Sequence, residues 1–360
     1  MSGEVRFTAL PVGQAPGSGL TSPCAGAGAG AGAGPGAGES DAPAAGRGLP
    51  PVTVLARGLR KAYPGVEAVR GVDLTVRAGE TFGFLGPNGA GKSTTIAMLC
   101  TLARPTAGRA TVAGADVTTD PGAVRRRIGL VFQDLTVDGD LTAAENLRFH
   151  ADLYGLPRRT ARRRVAGMLA LVGLHDRRDS LVRTFSGGMK RRLEIARGLL
   201  HAPQVLFLDE PTLGLDPQTR AQLWEHLHHV RTRRSVTLFL TTHHLEEAEH
   251  CDRIAVIDGG RIVTEGSPAD LKAAVGADRV AVRTADDTAA LSALRERFGL
   301  RAHAAPEGLL LHVPDGASFV PRLCAGLGVP VLSVAVTRPS LDDVFLRCTG
   351  RTLHDADGTR

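Results

Sequence analysis

One stretch carries the most specific chemistry in the chain: Gly86-Pro87-Asn88-Gly89-Ala90-Gly91-Lys92-Ser93-Thr94. Its spacing, Gly-x-x-x-x-Gly-Lys-Ser, is that of a phosphate-binding P-loop. Gly86, Gly89 and Gly91 allow a tight turn whose successive N–H groups converge on phosphate oxygens. A helix beginning near Lys92 would aim its positive end at the same point. Lys92 is placed to reach the β- and γ-phosphates, and the Ser93 hydroxyl to ligate Mg²⁺. Other residues of chemical interest follow: Gln133, Ser186-Gly187-Gly188, the carboxylate pair Asp209-Glu210, Asp216, and His243 beside His244.

These groups need elements to hold them. The apolar run Phe82–Leu85 before the P-loop reads as a strand and Thr95–Leu99 after it as a helix. Ile128–Phe132 reads as another buried strand, closing on Gln133. Val205-Leu206-Phe207-Leu208 is a third, delivering Asp209 and Glu210 to its carboxyl end, where open α/β sheets bind ligands. Val236–Leu240 is a fourth, leading to Thr241-Thr242-His243. Between the second and third of these strands, from Thr142 to about His201, the periodicity is helical. Thr142-Ala143-Ala144-Glu145 is a capping box opening one helix. Val165, Met168, Leu169 and Val172 form the apolar face of a second, and Ser186-Gly187-Gly188 opens a third.

The rest of the chain falls around this centre. Residues 1–50 contain an alternating Ala/Gly tract with no large apolar side chains to bury, so a disordered tail is expected. Val54–Arg57 and Val72–Val76 read as strands joined through Pro64-Gly65, with Tyr63 in the turn. A helix from Pro217 to about Val230 and strands at Ile254–Ile257 and Arg261–Val263 complete the first domain. Beyond it, a strand–helix–strand pattern runs roughly twice, hence a small α+β domain at 276–350. Residues 351–360 are expected to be a flexible end.

The set in order, P-loop, Gln133, Ser186-Gly187-Gly188-Met189, Leu208-Asp209-Glu210 and His243, resembles the nucleotide-binding subunit of ATP-binding cassette (ABC) proteins. The resemblance implies an α/β P-loop NTPase fold over residues 51–275, with a helical subdomain at about 134–202. It also implies roles. Tyr63 would stack on adenine, and Gly86 to Thr94 would cradle the phosphates. Ser93, Gln133 and, through water, Asp209 would hold Mg²⁺. Glu210 would polarise the attacking water, which Gln133 also touches, and His243 would contact the γ-phosphate. Spacing alone does not separate His243 from His244; the family pattern favours the first histidine after Thr-Thr. Ser186, Gly187 and Gly188 would reach the ATP held by a second copy, and Asp216 would lie at that dimer interface. Met189 stands where the family usually has Gln. The preceding Ser-Gly-Gly makes the phosphate contact, so activity is expected to survive. Three segments, Thr184–Leu193, Thr241–Glu249 and Pro339–Gly350, resemble the daunorubicin-resistance type of drug-exporter ATPase. That type works on the cytoplasmic face of the membrane with a separate integral permease, and its C-terminal appendage serves regulation or assembly.

Composition bounds these expectations. The chain has 360 residues, 43% of them hydrophobic, which suits a globular protein. It has no long uncharged apolar run that would read as a membrane span, and its start lacks a secretory pattern. Five scattered cysteines without a Cys-x-x-Cys pair read as free thiols in a reducing compartment. A formal net charge of +6, with clusters at Arg125–Arg127 and Arg162–Arg164, suits solvated helix faces or attraction to an anionic surface. The rival reading is a soluble ABC ATPase acting on ribosomes or nucleic acid. Against it, the chain shows one P-loop and one Ser-Gly-Gly signature, no zinc-type cysteines and no aromatic stacking platform, so no nucleic acid is expected.

Overall fold

The computed structural model describes residues 50–305 and 308–350. The expected tails at 1–50 and 351–360 lie outside them, but for Pro50, as does Cys24.

A long hairpin comes first: β1 (Val52–Tyr63) and β2 (Val66–Arg77) turn through Pro64-Gly65. Tyr63, read from the sequence as part of the turn, instead closes β1 opposite Val66. Then come β3 (Thr81–Leu85), α1 (Lys92–Leu99), β4 (Ala107–Val112), β5 (Ala115–Asp116), α2 (Pro121–Arg127) and β6 (Ile128–Val131). Three helices follow, α3 (Ala143–Leu153), α4 (Arg158–Leu171) and α5 (Gly187–Leu199), before β7 (Val205–Asp209), α6 (Pro217–Arg234) and β8 (Thr237–Thr242). Next are α7 (Leu245–Ala248), β9 (Arg253–Asp258), β10 (Arg261–Gly266) and α8 (Pro268–Val275). The described residues end with β11 (Asp278–Thr284), α9 (Asp287–Phe298), β12 (Ala302–Ala305), β13 (Gly308–Val313), α10 (Gly316–Gly326), β14 (Val331–Thr337) and α11 (Leu341–Thr349).

The central sheet has the order β10-β9-β3-β8-β7-β6, parallel except for the β9–β10 pair. Strands β3 and β8 are buried along their whole length, as a parallel sheet covered on both faces requires. Period two then sorts their side chains. Phe82, Phe84, Phe207, Phe239 and Ile257 face one core, shared with α1, α2 and the antiparallel sheet β2-β1-β4-β5. Leu85, Leu206, Leu208, Leu238 and Leu240 face the other, shared with α3 to α6. The capping box read at Thr142 is present, with Thr142 and Glu145 bonding each other's backbone N–H.

The last sheet, β12-β13-β11-β14, is antiparallel and follows a β-α-β-β-α-β course with its own core around Val280, Val282, Leu309, Leu311 and Leu323. Helix α11 departs from that grouping. Its Leu341, Val344 and Phe345 are buried in the core that also holds Leu271 of α8 and the Leu208 face of the central sheet. Among the described residues, no helix is long and apolar enough to cross a membrane.

Candidate functional site

Strand register builds the site. Leu85 of β3 lies opposite Thr242 of β8, and Thr241 of β8 lies opposite Asp209 of β7. Three adjacent parallel strands therefore stop together, and the next residues, Gly86, His243 and Glu210, emerge side by side at their carboxyl ends. The P-loop leaves β3 with the Gly86 N–H donating to Thr242 O at 3.2 Å. It ends at Gly91, which caps α1 with φ of 103°. A Cβ there would sit 2.6 Å from Ala68 O, so the position needs glycine both for its φ and for space.

Lys92 is buried, and its Nζ donates to Gly86 O at 2.7 Å and Pro87 O at 3.2 Å. It also pairs with Glu210 Oε1 at 3.2 Å, and His243 Nδ1 lies 3.2 Å from that same oxygen. Of the two candidate histidines, His243 is thus the one beside Glu210. Glu210 is itself buried, and its backbone is left-handed, with φ of 46°. Burial alone would raise its pKa, but the hydrogen bond with His243 and the charge of Lys92 outweigh it and hold the carboxyl below its ordinary range. Its N–H is held by Thr241, through O at 3.2 Å and Oγ1 at 3.1 Å. Ser93 Oγ donates to Asp209 Oδ1 at 3.1 Å, which also accepts from Thr241 Oγ1 at 2.5 Å.

A cleft of about 400 Å³ opens over this cluster, lined among others by Tyr63, Asn88, Gly91, Lys92, Gln133 and Glu210. Tyr63 is exposed at its rim, with Lys61 Nζ 5.0 Å from the ring centre. The Ser186-Gly187-Gly188 segment does not line it. Ser186 caps α5, accepting from Met189 N–H, and Ser186 and Gly187 are exposed. Gly188 is buried where a Cβ would stand 2.2 Å from Thr219 Cγ2 of α6. Asp216 is exposed and caps α6, its carboxylate held below the ordinary range by the Thr219 hydroxyl and amide.

The profile of the ABC transporter family matches residues 69–213. The chain is 44% identical over 309 residues to the daunorubicin/doxorubicin resistance ATP-binding protein DrrA of Streptomyces peucetius, covering 83% of this chain and 92% of that one. It belongs to the ABC transporter ATP-binding proteins. Another relative is the Nod factor export ATP-binding protein I of Ralstonia nicotianae, 40% identical over 87% of this chain and 98% of that one. A third is the linearmycin resistance ATP-binding protein LnrL of Bacillus subtilis, 37% identical over 83% and 99%. Among solved structures, cbiO1 of Clostridium perfringens, part of the ABC transporter complex cbiONQ, matches with a TM-score of 0.58 at 29% identity, covering 61% of this chain and 90% of that one. An ATP-binding cassette solved as a dimer in a post-hydrolysis state with ADP and phosphate matches with 0.55 at 26%, covering 60% and 98%. As an ABC protein of this kind, the chain binds ATP and hydrolyses it.

Behind the cleft of this ABC protein lies a second layer of charged groups that sequence pattern does not reveal. Arg191 and Glu194 of α5 are buried and paired at 3.1 Å, and Arg191 donates to backbone carbonyls of residues 209–211 on one side and of Phe132 and Gln133 on the other. Glu247, just after His243, is also buried, and its carboxylate accepts from Thr212 Oγ1. Burial pushes its pKa up to about 7, against the Thr242 hydroxyl and the Arg220 charge. Only the adjacency of Arg191 and Glu194 to the signature could have hinted at these roles, since a charged residue in a polar-looking helix reads as solvated.

Proposed function

We propose that the chain is the ATP-hydrolysing subunit of an exporter, energising efflux of a drug or hydrophobic metabolite through a separate integral membrane permease, from the cytoplasmic face of the membrane. The observation that carries this reading is Glu210 Oε1 lying 3.2 Å from both Lys92 and His243 at the mouth of the P-loop. Phosphoryl transfer to water needs charge neutralisation, an in-line water and positioning, with little covalent chemistry from the protein. Lys92 supplies a cation to the phosphates, which compete with Glu210 for it. Glu210, ionised at neutral pH, polarises the attacking water, and His243 holds the γ-phosphate. Tyr63 at the cleft rim stacks on adenine.

Mg²⁺ fits the residues present: Ser93 Oγ and Asp209 Oδ1 are 3.1 Å apart beside the phosphate cradle, and Gln133 lines the same cleft. The hydroxyl, one carboxylate and the amide are oxygen donors of the kind Mg²⁺ takes alongside phosphate and water. When bound, the ion would neutralise charge on the β- and γ-phosphates.

The signature segment caps a helix outside the cleft, with Ser186 and Gly187 exposed. That supports a trans arrangement in which Ser186, Gly187 and Gly188 close on the ATP of a second copy, with Asp216 at the interface. ATP then joins two copies and hydrolysis releases them. Beside Gln133, a hollow lined by Leu102, Phe132, His150 and Tyr154 has exposed apolar side chains, and suits a permease segment. Residues 276–350 are assigned to regulation or assembly.

The test is a membrane pull-down of the tagged chain from its native cell after gentle solubilisation. Stoichiometric recovery of a multi-span membrane protein is expected. Recovery with ribosomes or nucleic acid, and no membrane protein, would overturn the exporter role and leave the ATPase standing.

A further inference from the structure

Arg191 lies on α5, five residues beyond Ser186, and is 3% exposed. Its guanidinium reaches two distant segments at once. Nε donates to Pro211 O at 2.7 Å, and one terminal nitrogen donates to Asp209 O and Glu210 O, each at 3.2 Å. The other donates to Phe132 O, to Gln133 O at 3.5 Å, and to Glu194 at 3.1 Å. A planar fork of five N–H groups is the side chain that can do this; an ammonium is a point donor on a flexible stem.

The two segments are the ones that matter for the water. The Glu210 backbone is left-handed, a conformation that persists in a non-glycine residue only when its surroundings over-determine it. Thr241 holds its N–H and Arg191 holds its C=O. On the other side, Glu194 Oε1 accepts from Thr136 N–H at 2.5 Å and Thr136 Oγ1 at 2.9 Å, and Arg197 donates to Thr136 O at 3.1 Å. Residues 132–136 are thus fastened to α5 at both ends, and α5 is fastened to the loop that carries Glu210.

We infer that Arg191 is a positioning residue for hydrolysis, locking the Gln133 segment to the Glu210 loop so that the place of one sets the aim of the other. This rests on the assignment of Glu210 as the residue that polarises water. It gives the helix behind the signature a task besides presenting Ser-Gly-Gly: a displacement of 132–136 is passed to Glu210 through one side chain.

The test is Arg191→Lys, which keeps the charge beside Glu194 and removes the fork, with Glu210→Gln alongside. Fluorescent-ATP binding, single-turnover hydrolysis and amide hydrogen exchange with a non-hydrolysable ATP analogue are measured on the full chain. Arg191→Lys is expected to bind within about threefold of wild type and to hydrolyse about a hundredfold more slowly, the scale of a misplaced reacting group. In wild type the analogue should slow exchange at both 86–94 and 132–137; in Arg191→Lys the first effect should stay and the second vanish. Wild-type hydrolysis by Arg191→Lys, a loss of affinity matching the loss of rate, or protection of 132–137 that survives the substitution would each overturn the inference. Wild-type hydrolysis by Glu210→Gln would instead overturn the Glu210 assignment.

Discussion

Glu210 holds its charge in a buried place because Lys92 Nζ and His243 Nδ1 each stand 3.2 Å from one of its oxygens. Its role and that of Lys92 separate by experiment. Glu210→Gln keeps the shape and removes the carboxylate proposed to polarise the water, so steady-state hydrolysis should fall at least about a hundredfold while ATP still binds. Lys92→Ala removes the charged hydrogen bonds proposed to reach the phosphates, each worth ~1.5–3 kcal/mol, and should weaken ATP binding about ten- to a hundredfold. Glu247 shows the opposite behaviour, because burial outweighs its partners and lifts its pKa from 4.5 to about 7. A carboxyl whose folded pKa is raised contributes stability below its unfolded pKa, and that contribution is lost as pH rises through the folded value. Glu247→Gln should therefore gain in unfolding free energy over wild type as pH goes from about 5 to about 8, by up to ~3 kcal/mol, read as a widening difference in denaturation midpoint. A difference that does not change with pH would show that Glu247 titrates normally.

At the scale of elements, α5 and α6 approach closely. Gly188 is where they touch, since a Cβ would meet Thr219 Cγ2 at 2.2 Å. Gly188→Ala should cost ~1–3 kcal/mol through overpacking, seen as a lower denaturation midpoint. Adding Thr219→Ser removes the clashing methyl and keeps the hydroxyl that bonds Asp216, so the double variant should recover most of the loss. No recovery would mean that the glycine serves something other than helix spacing. The arginine clusters also resolve at this scale. Arg125 and Arg127 sit in the last turn of α2, where positive charge suits the helix dipole, and reach Thr101 and Ala113 carbonyls. Arg164 bonds Leu200 O, while Arg162 joins Arg148, Arg158 and Arg178 along a solvent groove.

Across the whole molecule, α11 folds back onto the core of the nucleotide-binding half. Phe345 of α11 is fully buried in the core shared with α8 and the central sheet, although β14, the element just before α11, belongs to the C-terminal sheet. Phe345→Ala should cost ~3–5 kcal/mol and lower the melting temperature of the nucleotide-binding half, read by loss of ATP binding on heating. If only the C-terminal sheet loosened, α11 would have to be counted with that sheet alone.

Much of this was legible before any fold was built, because the chemistry is local. The P-loop is defined within nine residues, a capping box within four, and Asp209-Glu210 by the apolar run that ends on them. The buried strands were visible as continuous apolar runs, and the order of motifs was enough to suggest the family. What the sequence left open was pairing over distance. His243 and His244 are equivalent by spacing; the shared ending of β3, β8 and β7 brings the first to Glu210. Arg191, Glu194 and Glu247 look like solvated charges in polar helices, and become buried because their partners, Phe132, Thr136, Asp209 and Thr212, lie well away in the chain. Burial of a charge is a property of what packs over it, and strand register and helix packing decide that.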